Sequence, residues 1–344
     1  MGVARPPLSR PLLLAGLAVA GHLGRLLLEH RRLVAAVPPE LRTPMLWLPT
    51  GLLTSAPARR LLAVLPLPSP EPPSDVDARP ATATHEGSSV PVWVYRPSSG
   101  TPVDAPSGGA LLWVHGGGYV AGAAANDHEA CARFVRELGV VVVSVDYRLA
   151  PAHPFPAALD DCTTALRWLH TQADELGVDP ARVAVGGESA GGGLAAALAQ
   201  RAYDEGVDVA FQLLVYPMLD DRTVLRADQP ETLVWTSPSN RSGWTAYLGH
   251  PVRATEERPY AAPARREDLT GLAPAWIGVG DADLFHDEDL AYAARLVAAG
   301  VPCALDVVPG MYHGAYGLAP ASSAIAQRFR QGSVEALRDG LLAG

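Results

Sequence analysis

Lysine is missing from this chain: all 27 basic residues are arginine. That absence excludes a pyridoxal-phosphate Schiff base, a P-loop lysine and a Ser-Lys hydrolase dyad, each of which needs a primary amine. Cysteine is scarce. Cys131, Cys162 and Cys303 are widely spaced and odd in number, which argues against a disulfide framework and against a zinc site, and leaves packed thiols. The inventory points to no cofactor and no metal. With a net charge of −9 there is no basic footprint for nucleic acid. Long apolar runs are lacking too: residues 12–20 are apolar, but His22 and Arg25 cut the run well short of the eighteen or so residues that span a bilayer.

What the chain does have is core-forming material, 48% hydrophobic in 344 residues, enough for one large catalytic domain with an accessory segment. Its most informative stretch is Gly187-Glu188-Ser189-Ala190-Gly191, which fits G-x-S-x-G. The apolar residues 182–186 before it read as a buried strand, and the alanine-rich residues after it read as a helix. A serine between them sits on a sharp turn, with the free N–H groups and positive dipole end of the helix behind it. That context makes the motif a nucleophile elbow.

Upstream, the apolar strand pattern of residues 110–114 runs into His115-Gly116-Gly117-Gly118-Tyr119. Acyl transfer needs a stabilised tetrahedral oxyanion, and backbone N–H groups in a side-chain-free loop supply that without reorganising. Gly117, Gly118 and Ala190 are therefore assigned to an oxyanion hole. The place of His115 suits a residue that braces the loop by hydrogen bonding.

These stretches, with Asp146-Tyr147-Arg148-Leu149-Ala150-Pro151, His153-Pro154-Phe155-Pro156-Ala157-Ala158 and Gly310-Met311-Tyr312-His313-Gly314, fall in one order from about residue 85 onward. In this the chain resembles the hormone-sensitive-lipase-like branch of the α/β-hydrolases, a family of serine carboxylesterases and lipases. The resemblance implies a mainly parallel twisted sheet with helices on both faces, a helical cap, and activity on small esters of short or medium acyl chain.

Serine is a poor nucleophile until an imidazole takes its proton, and the imidazole needs a carboxylate to fix its tautomer. In this fold the order is Ser, acid, His. The turn after the apolar residues 275–280 contains Asp281, Asp283 and Asp287. Asp283 is the chosen acid, because it opens a stretch resembling the family's D-P-L-x-D-E pattern; Leu284-Phe285 departs from that pattern and keeps Asp281 as the alternative. Asp287 and Glu288 then begin the next helix as favourable N-terminal charges. His313, in a glycine-flanked loop after the last strand, is the expected base, with His286 as its nearest rival. Glu188 stands where many relatives have Asp.

Strands are expected at 90–95, 111–114, 140–145, 182–186, 211–215, 276–279 and 304–308, and helices at 155–176, 191–204, 288–299 and 321–342. The catalytic domain is assigned to residues 81–344, with a cap insertion at about 220–268 that breaks the alternation of strands and helices. Tyr119, Trp235, Trp244, Met311 and Tyr312 are candidates to line the substrate pocket, or else are cap core.

Residues 1–80 are a different kind of sequence. Their first 62 residues carry a balance of +6, against −15 for the remainder. A helical cap leading into a proline-rich linker is one reading, a membrane-surface contact of arginines beside leucines another, and a passive extension a third. Residues 18–20 resemble a cleavage site, but leucines at 23, 26, 27 and 33 continue a helical face beyond it, so a cytoplasmic enzyme is expected, with an exported or membrane-associated one as the alternative. An amide deacetylase using the same residues and a ligand-binding protein on the same scaffold remain open readings.

Overall fold

The computed structural model describes residues 25, 27–47, 70–98 and 108–342. The apolar run at 12–20, the cleavage site and residues 48–65 lie outside the described residues. Eight strands, β1 Val76–His85, β2 Ser88–Pro97, β3 Ala110–Val114, β4 Val141–Val145, β5 Val183–Glu188, β6 Phe211–Val215, β7 Ala275–Gly280 and β8 Cys303–Val308, form one sheet in the order β1-β2-β4-β3-β5-β6-β7-β8. β1 pairs with β2 and β2 with β4 antiparallel; every other pairing is parallel.

The parallel centre follows from the sequence. Every residue of β3, β4, β6 and β7 is buried, which is what a strand covered on both faces requires. Alternate residues serve opposite faces: Leu112 and Val114 join a core with helices α2 (Ala157–Thr171) and α3 (Ala190–Asp204), whereas Leu111 and Trp113 join one with α1 (His128–Leu138) and α6 (Ala324–Leu342). Each such side chain contributes about 1.5–3 kcal/mol through burial.

One strand, β1, is additional to those expected, and one of the helices between strands, α1, is sharper than its sequence suggests. β1 begins before the expected boundary at residue 81 and pairs over its full length with β2, from Val76 opposite Pro97 to His85 opposite Ser88. Glu86 and Gly87, with φ of 47° and 81°, make the tight hairpin turn, and Pro80 is tolerated because β1 is an edge strand. Helix α1 buries Cys131, Phe134, Val135 and Leu138 at helical spacing and ends on Gly139 in the left-handed region.

The interval between β6 and β7 holds helix α4 (Ser237–Leu248) and two single 3-10 turns, Asp221–Leu225 and Pro263–Arg265, so the alternation does lapse there. Helix α5 (His286–Ala298) follows β7.

The described part of the N-terminal segment is built into the core rather than laid over it. Residues 27–36 are helical, and Val34, Val37, Leu41 and Leu46 are buried with the α1 and α6 residues. Glu40 accepts hydrogen bonds from the N–H groups of Ala324 (2.8 Å) and Ile325 (3.3 Å), which would otherwise be unpaired at the start of α6. The Leu41 carbonyl accepts the phenol of Tyr312 at 3.2 Å, one residue before His313. The described residues contain no helix long and apolar enough to cross a membrane.

Leu41 is fully buried, so Leu41→Ala should cost about 2–5 kcal/mol in urea unfolding. A change below 1 kcal/mol would show that the segment is dispensable to the core.

Candidate active site

Strand β5 ends at Glu188 and helix α3 begins at Ala190, which leaves Ser189 alone on the turn with φ 55° and ψ −121°. A non-glycine residue in this region costs of order 1–3 kcal/mol and persists only where its surroundings hold it. They do so here: the Ser189 N–H donates to the Val215 carbonyl at 2.9 Å, and its own carbonyl accepts from Gly193 (3.0 Å) and Met218 (2.9 Å). The first turn of α3 also crosses the end of β3 at backbone contact. A Cβ on Gly191 would stand 2.0 Å from the Val114 carbonyl oxygen and 2.4 Å from that of His115.

Ser189 Oγ lies 2.8 Å from His313 Nε2, and His313 Nδ1 lies 2.8 Å from Asp283 Oδ2. Because a carboxylate only accepts, Nδ1–H donates to Asp283 and the bare Nε2 accepts from the serine hydroxyl. All three residues are buried. The other Asp283 oxygen accepts from the Phe285 N–H at 2.9 Å, which fixes the carboxylate plane. Asp281 is turned elsewhere: its Oδ1 accepts from the Gly310 N–H at 2.5 Å. His286 contacts Asp287 at 3.0 Å near the surface and takes no part in this chain of hydrogen bonds.

The loop of Gly117 and Gly118 is pinned from within, since the Gly117 carbonyl accepts from both Val120 (3.2 Å) and Ala121 (3.1 Å). The N–H groups of Gly117 and Gly118 have no acceptor among the described residues, and that of Ala190 belongs to the open first turn of α3. His115 braces this loop as expected. Burial holds its pKa down at about 4, so the ring is neutral, and Nδ1–H donates to the Gly116 carbonyl at 2.7 Å. The ring stacks on Tyr147 at 4.2 Å, and the Tyr147 phenol donates to the His115 carbonyl at 3.0 Å.

All five residues considered for the pocket are buried, Tyr119, Trp235 and Trp244 in one core cluster and Met311 and Tyr312 in another. Tyr119 stacks on Tyr247 at 4.0 Å, packs 5.3 Å from Trp244, and donates its phenol to the Met218 carbonyl at 3.2 Å. This buried aromatic cluster fastens helix α4 to the glycine loop. Met311 and Tyr312 are fully buried in the core that holds the N-terminal segment, the latter by its hydrogen bond to Leu41. Trp235 differs. Its ring lies against Gly118, where an added Cβ would stand 2.1 Å from Cη2, and its centroid is 6.3 Å from the His313 ring.

Two neighbours of the site carry little sequence signal. Tyr216 packs on His313 with ring centroids 4.8 Å apart. Glu288 was read only as a helix-start charge, but its carboxyl accepts from the N–H groups of Leu219 (2.8 Å) and Asp220 (3.1 Å) and from the Thr223 hydroxyl, tying the insertion to α5. Burial pushes its pKa up to about 8 despite those donors.

Gly191→Ala should be far more damaging to folding than any change at Ser189, because the clash is with backbone oxygens that cannot turn away. The check is a thermal melt: a variant that unfolds within 2 °C or so of the parent would refute the contact.

A family model described as an alpha/beta hydrolase fold matches residues 111–317. Ethyl acetate hydrolase of Pseudomonas putida is 37% identical over 232 residues, covering 67% of this chain and 72% of that protein. Carboxylesterase NlhH of Mycobacterium tuberculosis is 38% identical over 274 residues, covering 75% and 81%. Among solved structures, a bacterial heroin esterase superposes with a TM-score of 0.77 at 37% identity, covering 89% of this chain and 98% of that one. The match runs through the strand, elbow and histidine loop just described, and the chain belongs to the α/β-hydrolase family, in its hormone-sensitive-lipase-like branch.

Proposed function

We propose that this protein is a serine carboxylesterase acting on small esters of short or medium acyl chain through an acyl-enzyme. The observation that carries the reading is the unbroken chain of 2.8 Å hydrogen bonds from Ser189 through His313 to Asp283. Ser189 Oγ attacks the ester carbonyl carbon while His313 Nε2 takes the hydroxyl proton, and Asp283 balances the imidazolium through Nδ1–H. The N–H groups of Gly117, Gly118 and Ala190 hold the oxyanion. As the tetrahedral intermediate collapses, the bond to the alcohol oxygen breaks and His313 returns the proton to it. Water then repeats the sequence on the acyl-enzyme and releases the acid. The relatives named as an ethyl acetate hydrolase and a carboxylesterase support the substrate class.

Residues 1–80 and the insertion at about 220–268 are read as a cap. Support comes from α4, fastened to the glycine loop by Tyr119, and from Trp235, whose ring roofs the space between Gly118 and His313. Trp235 is the residue that sets acyl length. For the described part of the N-terminal segment, the burial of Val34, Val37 and Leu41 against α1 and α6 favours attachment to the catalytic domain over a membrane-surface contact.

Ser189→Ala should lower kcat on p-nitrophenyl acetate by about a thousandfold or more, and the parent should be labelled at Ser189 by an organophosphonate. Asp283→Asn should also lose orders of magnitude in kcat, because an amide can hold the wrong imidazole tautomer, while Asp281→Asn stays mild. Substantial turnover by pure Ser189→Ala would falsify the serine mechanism, and the reverse ranking of the two aspartates would displace Asp283.

Trp235→Ala should raise the kcat/KM ratio of octanoyl to acetyl p-nitrophenyl ester by about tenfold, the worth of a few methylenes admitted to an apolar pocket. An unchanged ratio removes Trp235 from the acyl site.

A further inference from the structure

Glu188 immediately precedes the nucleophile and has no part in the proposed chemistry, yet its carboxyl touches two pieces of the site. Oε2 accepts the phenol proton of Tyr216 at 2.8 Å. Oε1 lies beneath the glycine loop, 3.1 Å from where a Cβ on Gly116 would stand.

Tyr216 follows β6 and takes a φ of 34°, a strained value for a residue with a side chain, with its N–H held by the Gly278 carbonyl at 2.7 Å. That backbone sends its ring to the His313 imidazole, 4.8 Å away at 60°. Phe285 packs edge-on to the imidazole at 5.0 Å. Tyr216 and Phe285 are the nearer of three rings around the base, Trp235 standing further off at 6.3 Å. Phe285 is fixed by packing and by its N–H on Asp283, whereas Tyr216 ends in a hydroxyl whose hydrogen bond goes to Glu188.

We infer that Glu188 is a positioning residue: through the Tyr216 phenol it holds the ring that sets the plane of the His313 imidazole, and so aligns Nε2 with Ser189. A carboxylate or an amide oxygen serves, because the interaction needs only an acceptor at the end of a two-carbon arm. An aspartate, one methylene shorter, draws that acceptor back from Tyr216. The inference rests on the serine-esterase reading of the same site.

The test compares Glu188→Ala, Glu188→Gln, Tyr216→Phe and the double variant Glu188→Ala/Tyr216→Phe on p-nitrophenyl acetate, with Ser189→Ala and phosphonate labelling as controls. Glu188→Ala and Tyr216→Phe should each lower kcat by about 10- to 100-fold, the cost of a slightly misplaced base, with KM within about twofold of the parent. Glu188→Gln should retain kcat within about threefold, since its amide oxygen still accepts from Tyr216. The double variant should fall no further than about twofold below the weaker single, because both changes break one tether. Should Glu188→Ala fail to fold, Tyr216→Phe and Glu188→Gln decide, as each keeps the bulk of the side chain. The inference is overturned if Tyr216→Phe or Glu188→Ala keeps kcat within twofold, if Glu188→Gln is as impaired as Glu188→Ala, or if the single effects multiply. A parent that neither turns over the ester nor is labelled by phosphonate, or a Ser189→Ala variant that stays active, would instead overturn the serine-esterase reading, so the two failures are told apart.

Discussion

The backbone crossing between the end of β3 and the first turn of α3 governs the rest of the site. With the Val114 and His115 carbonyl oxygens 2.0 and 2.4 Å from where a Gly191 side chain would begin, the helix can reach this depth only without a Cβ. That approach presses the elbow against the sheet, forces Ser189 to a positive φ, and sets the open end of α3 beside the loop that leaves β3. Nucleophile and oxyanion donors thereby share one rigid corner. The strain at Ser189 is supported by the Val215, Gly193 and Met218 hydrogen bonds, which bring in β6 as a third wall.

The insertion between β6 and β7 is attached to that corner at two places of different character. At one end Tyr119, Trp244 and Tyr247 interlock as an apolar cluster; at the other Glu288 gathers two backbone N–H groups and a hydroxyl in a buried polar clamp. The first binds the insertion to the glycine loop and the second binds it to the helix that follows Asp283. Movement of the insertion therefore draws on both halves of the site at once.

Seven strands and the main helices are legible because apolar or alternating strand runs and amphipathic helices write their periods directly into the chain. β1 was not, since an edge strand with Pro80 and a polar outer face looks like the proline-rich tract before it. Helix α1 did carry its spacing in Cys131, Phe134, Val135 and Leu138, but lies close behind the glycine loop and was passed over. At the site, Ser189 and His313 sit on local signals, a sharp turn and a glycine-flanked loop, whereas only the resemblance to the D-P-L-x-D-E pattern favours Asp283 over Asp281. Tyr119, Trp244, Met311 and Tyr312 could not be separated from Trp235 on the same basis. Whether an aromatic residue faces a pocket or a core depends on contacts with distant segments, such as Tyr312 with Leu41, and no short window of sequence holds both partners. Tyr216 and Glu288 were obscure for that reason too.

The lacing of the chain's beginning to its end has a consequence for synthesis. Glu40 finds its partners at Ala324 and Ile325, and Leu41 finds Tyr312, so these residues wait for partners synthesised some 270 to 285 positions later. Until then the core that Val34, Val37 and Leu41 enter lacks its α6 side, and the loop that carries His313 does not yet exist. A nascent chain can build the central strands and the elbow as it emerges, yet it completes the Ser189-His313-Asp283 arrangement only once residue 313 has been made. A truncated product then holds an exposed nucleophile without its base, and is inert.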